Sequence, residues 1–120
     1  MTAFRTLIAL GGAAALAVSG PALAHAKLVK SNPAAEATVK SPKTITLTFN
    51  ERVVPAFSKF ELSMPAHRMD IPVTTTVSRD GKRIVGTVGS RLMKGSYRVS
   101  WIAAGADGHK MTGSYSFKVG

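Results

Sequence analysis

Between Lys43 and Phe49 the apolar residues Ile45, Leu47 and Phe49 alternate with Thr44, Thr46 and Thr48. A period of two sends successive side chains to opposite faces, so this stretch predicts a half-buried strand. The same period returns in Tyr97, Val99 and Trp101, and again in Tyr115, Phe117 and Val119. Lys27–Ser31 predicts a short extended piece ended by the turn signal Asn32-Pro33, and Ser41-Pro42 introduces the Lys43 strand. Pro55 argues against a helix after Glu51. Ser58, Phe60 and Leu62 give a less regular strand, followed by an expected loop over Met64–Asp70 and a strand over Ile71–Val77. Asp80-Gly81 predicts a tight hairpin into Arg83–Val88, and Leu92–Gly95 is a short connection. No segment beyond residue 24 carries a 3.6-residue apolar stripe long enough for a helix, and no internal repeat is visible. The expected fold is all-β: a small Greek-key sandwich or barrel of about seven strands.

The first 24 residues follow a different pattern. Arg5 is a minimal positive start, Leu7–Val18 is apolar, Ser19-Gly20-Pro21 breaks the run, and Ala22-Leu23-Ala24 is an A-x-A cleavage signal. The apolar core is short for a membrane span, which needs about 20 such residues. Residues 1–24 are therefore expected to be a secretory signal peptide and residues 25–120 one exported domain, starting at His25.

The chain carries 16 Lys and Arg against six acids, a formal charge of +10. Such a balance suggests nucleic acid in a cytosolic protein, but export and the interspersed placement of the cations argue against it. A solvated basic surface is the default, with attraction to anionic lipid or polysaccharide as a side effect. There is no cysteine. That excludes disulfides, a thiolate electron-transfer copper site, a thiolate zinc site and a cysteine nucleophile.

Cleavage after Ala24 gives His25 chemical weight. An N-terminal histidine offers its α-amine and imidazole Nδ1, which together close a chelate ring on one ion. Reference pKa values of about 7.7–8.0 and about 6.5 let a strong Lewis acid displace both protons near neutrality. Two nitrogens in a plane suit Cu(II). The bland alternative is that some residue must follow every cleavage site. Asp107-Gly108-His109 is a turn signal, and a turn sets Asp107 and His109 side by side where they can complete such a plane.

Several separated blocks then carry a family resemblance. They are His25-Ala26-x-Leu28-x-x-Ser31-x-Pro33-Ala34, Ile45-x-Leu47-x-Phe49-x-Glu51, Leu92-x-x-Gly95-x-Tyr97-x-Val99-x-Trp101, and Asp107-Gly108-His109-x-x-x-Gly113-x-x-x-Phe117-x-Val119. In this order they resemble the CopC family of periplasmic copper-binding, copper-resistance proteins over essentially all of residues 25–120. The resemblance implies an immunoglobulin-like β sandwich without enzymatic activity that sequesters or ferries copper in the periplasm. It implies Cu(II) ligation by His25 (amine and imidazole), Asp107 and His109, and an inner-membrane copper transporter of the CopD type as partner. Glu51 matches a family acid that either orients a liganding imidazole without touching the metal or is a solvated acid at a strand end. A methionine-rich Cu(I) loop in many family members is reduced here to Met64, His67 and Met69. These form a three-coordinate Cu(I) site, or else Met64 packs at the sandwich edge and His67 is an ordinary loop residue. Met93 and Met111 are expected near the Asp107–His109 end or the preceding loop, as core or rim packing. Ile102 and Lys110 stand where the family often has Arg and Pro. A monomer is expected.

Three rivals remain. A pair of histidines with one at the N-terminus also resembles the copper brace of lytic polysaccharide monooxygenases, but Trp101 and the two tyrosines read as core and a liganding Asp107 would fill part of the plane. A structural or adhesive sandwich module would bind no metal. Zinc also suits a His-Asp-His set, although the amine ligand favours copper.

Overall fold

A computed structural model describes residues 25–120; the expected leader, residues 1–24, lies outside the described residues. Nine strands form two sheets: β1 (Leu28–Asn32), β2 (Thr38–Val39), β3 (Thr44–Phe49), β4 (Lys59–Met64), β5 (Met69–Ile71), β6 (Val73–Val77), β7 (Arg83–Val88), β8 (Gly95–Ala104) and β9 (Lys110–Val119). One sheet has the order β1-β3-β7-β6 and the other β2-β9-β8-β4-β5. All pairings are antiparallel except β2 with β9. The all-β sandwich expected from alternation is the fold. β2 and β5 are two and three residues long, too short to show a period.

Two local readings differ. The stretch expected as one strand from Ile71 to Val77 is split, β5 pairing with β4 in one sheet and β6 with β7 in the other. Pro72 lies between them, and its missing N–H cannot serve a continuous ladder. The expected Met64–Asp70 loop is narrower: Met64 ends β4, Pro65–His67 is a single 3-10 turn, and Met69 begins β5.

The sheets bury their inward sets against each other. Ile45, Leu47 and Phe49 from β3 meet Phe60, Leu62 and Met64 from β4, with Ile84, Tyr97, Val99 and Phe117 filling the layer. Burial of these side chains from water is the main stabilising term, at roughly 1.5–3 kcal/mol for each large apolar side chain. Gly86 is required by packing: a Cβ there would stand 2.2 Å from Phe60 Cζ. Gly113 likewise lies beneath the Trp101 ring, 2.5 Å from Cζ2 for a built Cβ. Tyr97 is buried and gives its hydroxyl proton to the Met93 carbonyl at 2.7 Å.

Register decides which loops meet. Leu28 pairs with Phe49, so the start of the described chain lies at the C-terminal end of β3. Ala104 pairs with Lys110, so the β8–β9 hairpin turns at Gly105–His109. Val53 bridges Gly105, and the Val54 amide donates to the Ala104 carbonyl at 2.8 Å. These links hold the hairpin tip against the β3–β4 connection. The opposite pole holds Thr44, Thr87, Gly95 and Val119.

Candidate metal centre

His25 precedes β1 and is held by its neighbours. The Lys27 amide donates to Asn50 Oδ1 at 2.7 Å, and the Asn50 amide donates to the Lys27 carbonyl at 3.0 Å. Ala26 is buried, fixing the chain direction one residue from the histidine. Asn50 was not singled out by sequence, because an Asn after a strand is commonly a turn residue.

Asp107 and His109 lie in the hairpin tip. The Gly105 amide donates to the His109 carbonyl at 3.0 Å and the Gly108 amide to the Gly105 carbonyl at 2.9 Å. Gly108 has φ of 88°, a left-handed conformation that favours glycine. Asp107 Oδ1 accepts the His109 amide at 2.9 Å, and Oδ2 lies 2.9 Å from His109 Nδ1. An ionised carboxylate only accepts, so Nδ1 carries the proton and Nε2 is left to meet a metal. The hydrogen bonds from the His109 ring and then from its amide hold the Asp107 carboxyl below its usual range.

Three groups converge. One potential ligand atom each from His25, Asp107 and His109 lies within 4.8 Å of the others. The two imidazole centroids are 5.2 Å apart at 67°, edge to face. His25 Nδ1 is buried without a hydrogen-bond partner. A buried polar atom without a partner costs about 1–3 kcal/mol, so this nitrogen is suited to an electrophile. The donor set of two imidazoles and a carboxylate fits a divalent borderline ion.

The other candidates lie apart from this cluster. Glu51 is partly exposed just beyond β3, and no hydrogen bond or ion pair joins it to either histidine among the described residues. Met64, His67 and Met69 gather at the opposite pole, where Met64 pairs with Met69 across β4 and β5. Met64 is 1% exposed, Met69 is 40% exposed, and His67 is exposed in the turn between them. Met93, expected as core or rim packing, lies in the loop before β8, at the pole away from His25, and differs in being 55% exposed. Met111 is half-buried opposite Ala103. Trp101 and Tyr115, expected as core, are half-buried and pack against it, Trp101 edge-on to Phe49 at 5.2 Å.

The comparisons with known proteins agree with this architecture. The model of the CopC domain matches residues 28–120. Copper resistance protein C of Xanthomonas campestris pv. juglandis is 39% identical over 112 residues, covering 88% of each chain. Copper resistance protein C of Pseudomonas syringae pv. tomato is 39% identical over 124 residues, covering 98% of this chain and 95% of that one. Among solved structures, the methionine-rich copper resistance protein PcoC from Escherichia coli superposes with a TM-score of 0.74 at 35% identity, over 81% of this chain and all of that one. With the family model matching residues 28–120 and relatives 39% identical over most of both chains, the chain belongs to the CopC domain family.

Proposed function

We propose that residues 25–120 form a periplasmic copper-binding protein of copper resistance, which sequesters or ferries the ion as cargo and catalyses no reaction. Cu(II) is taken by the His25 amine and Nδ1, by His109 through Nε2, and by an Asp107 oxygen. The observation that carries this is His25 Nδ1, buried and without a partner beside Asp107 and His109. Copper in the names of the relatives supports the choice of ion. The amine becomes a ligand only after cleavage at Ala24, because before it the same nitrogen is a peptide amide. Glu51, which is not among the three converging groups, is then a solvated acid at the end of a strand and not a ligand. Delivery to or from an inner-membrane transporter of the CopD type, by a monomer, completes the proposed role.

A softer Cu(I) site at Met64, His67 and Met69 is the second part of the proposal. Its support is the register, which makes Met64 and Met69 direct cross-strand partners on one face of the sheet. Two thioethers and an imidazole suit Cu(I).

The test is Cu(II) titration with EPR on two preparations, one starting at His25 and one with an additional residue ahead of it. Tight binding with a tetragonal, nitrogen-rich spectrum is expected only from the native start. Equal binding by both, or by neither, refutes the N-terminal chelate.

A further inference from the structure

At the pole opposite His25, two connections close on each other. The link from Lys40 to Lys43 precedes β3, and the loop from Gly89 to Lys94 precedes β8. The Leu92 amide donates to Ser41 Oγ at 2.8 Å, and the Val88 amide donates to the Lys43 carbonyl at 2.9 Å. Between them runs an open cleft of about 650 Å³ whose walls include Lys40, Pro42, Lys43, Val88 and Arg91.

The charge of these two loops is one-sided. Lys40, Lys43, Arg91 and Lys94 are all exposed, and neither loop contains any of the chain's six acids. The ion pairs among the described residues are Lys59–Glu61, Arg83–Asp80 and His109–Asp107, so none of the four cations is neutralised in that way. On the same loop stands Met93, an unbranched apolar side chain 55% exposed to water. Its backbone is fixed, because its carbonyl accepts the buried Tyr97 hydroxyl at 2.7 Å.

Cations around an apolar side chain held on rigid loops have the chemistry of an interfacial contact. The four charges are spread over two loops, as suits an extended anionic surface better than one small anion. Without Arg5 of the leader, residues 25–120 carry 15 Lys and Arg against six acids, a formal +9, which adds long-range attraction to the same surface. We infer that this pole docks on an anionic phospholipid bilayer, with Lys40, Lys43, Arg91 and Lys94 against headgroup phosphates and Met93 at the boundary with the acyl chains. Docked this way, the protein directs His25, Asp107 and His109 away from the bilayer into solvent. The two docking loops contain none of the proposed copper ligands, although Met64, His67 and Met69 lie at the same pole.

The experiment is sedimentation of the chain starting at His25 with vesicles of phosphatidylcholine alone and of phosphatidylcholine mixed with phosphatidylglycerol, at low ionic strength. Binding is expected only to the mixed vesicles, weakening as salt is added. Each of the four docking cations removed should weaken binding about fivefold. The triple variant Lys40→Gln, Lys43→Gln, Arg91→Gln should therefore bind on the order of a hundredfold less tightly. A control with the same charge, Lys59→Gln, Arg79→Gln, Lys82→Gln, alters three exposed cations outside these loops and should retain most binding. Met93→Ser should weaken binding further without changing its salt dependence. Unchanged Cu(II) titration of the triple variant reports that the fold is intact. Equal losses in the two triple variants would reduce the effect to net charge and overturn the proposal. Binding to pure phosphatidylcholine, or to neither vesicle, overturns it as well. So does binding to poly-glutamate without binding to vesicles, which would assign the pole to an acidic protein.

Discussion

His25 Nδ1 and the Asp107–His109 pair divide the work of the proposed centre between a ring without a partner and a ring already oriented. Replacing His109 by Ala removes one nitrogen, whereas Asp107→Asn keeps shape and removes the charge that fixes the His109 ring. Asp107 is both a proposed ligand and the carboxylate that orients the His109 ring. Asp107→Asn should therefore cost at least the roughly 10–100-fold in Cu(II) affinity typical of losing an orienting carboxylate, and His109→Ala no less, in a competition titration. The pH response has a definite sign. The Asp107 carboxyl is held below its usual range, so its contribution to the hairpin tip is present above that range and is lost only as pH falls through the depressed value. From about pH 7.5 to about pH 5 Asp107 therefore stays ionised, and proton competition falls on the nitrogen ligands. Cu(II) affinity is expected to drop across that interval; equal affinities at its two ends would contradict nitrogen ligation. The types of these residues were legible in the sequence. The partnerless state of Nδ1 and the clamp of Asn50 on Lys27 were not, since both depend on which atoms lie nearby after folding.

Among the elements, the strands legible in sequence were those with one face buried, such as β3 and the core half of β8. Alternation is a record of burial, so it fades where burial does. β2 and β5 are too short to display it, and the segment around Pro72 changes sheets without a change in composition. The β4–β5 edge distinguishes two methionines of the same type. Met64→Ala should destabilise the fold by about 2–5 kcal/mol, because it leaves a cavity, whereas Met69→Ala should stay within about 0.5 kcal/mol. Urea unfolding measures both, and similar costs would contradict the assigned burial. The tyrosines of β8 and β9 set the alkaline limit. Burial pushes the Tyr97 and Tyr115 phenols up, so above about pH 10 the unfolded chain loses protons that the folded chain retains. Stability should fall as pH rises through that region, and the Tyr97→Phe, Tyr115→Phe double variant should show a shallower fall in its thermal midpoint.

For the whole molecule, the proposed Cu(II) centre joins the segment before β1 to the tip of the β8–β9 hairpin, and so links the two sheets at one pole. Copper held there by all three residues binds the folded state more tightly than the unfolded one, which keeps only the chelate of His25 itself. At free ion a hundredfold above the dissociation constant it should therefore add at most about 2.7 kcal/mol to unfolding. Calorimetry is expected to show a rise in thermal midpoint with Cu(II) for the chain starting at His25 and little for one extended ahead of it. The sequence by itself determined the class of secondary structure, the inward faces of the long strands, the absence of thiol chemistry and the residue types available as ligands. Each of those follows from composition or from a period of a few residues. The family resemblance implied that residue 25 meets residues 107–109; only the tertiary structure decided that His25 Nδ1 stays buried without a partner there, that Met93 projects at the far pole, and that four cations share that pole with it. Local periodicity says which side of a strand is apolar, but strand order and register arise from how two sheets bury those sides against each other, and sites built from distant segments exist only once that choice is made.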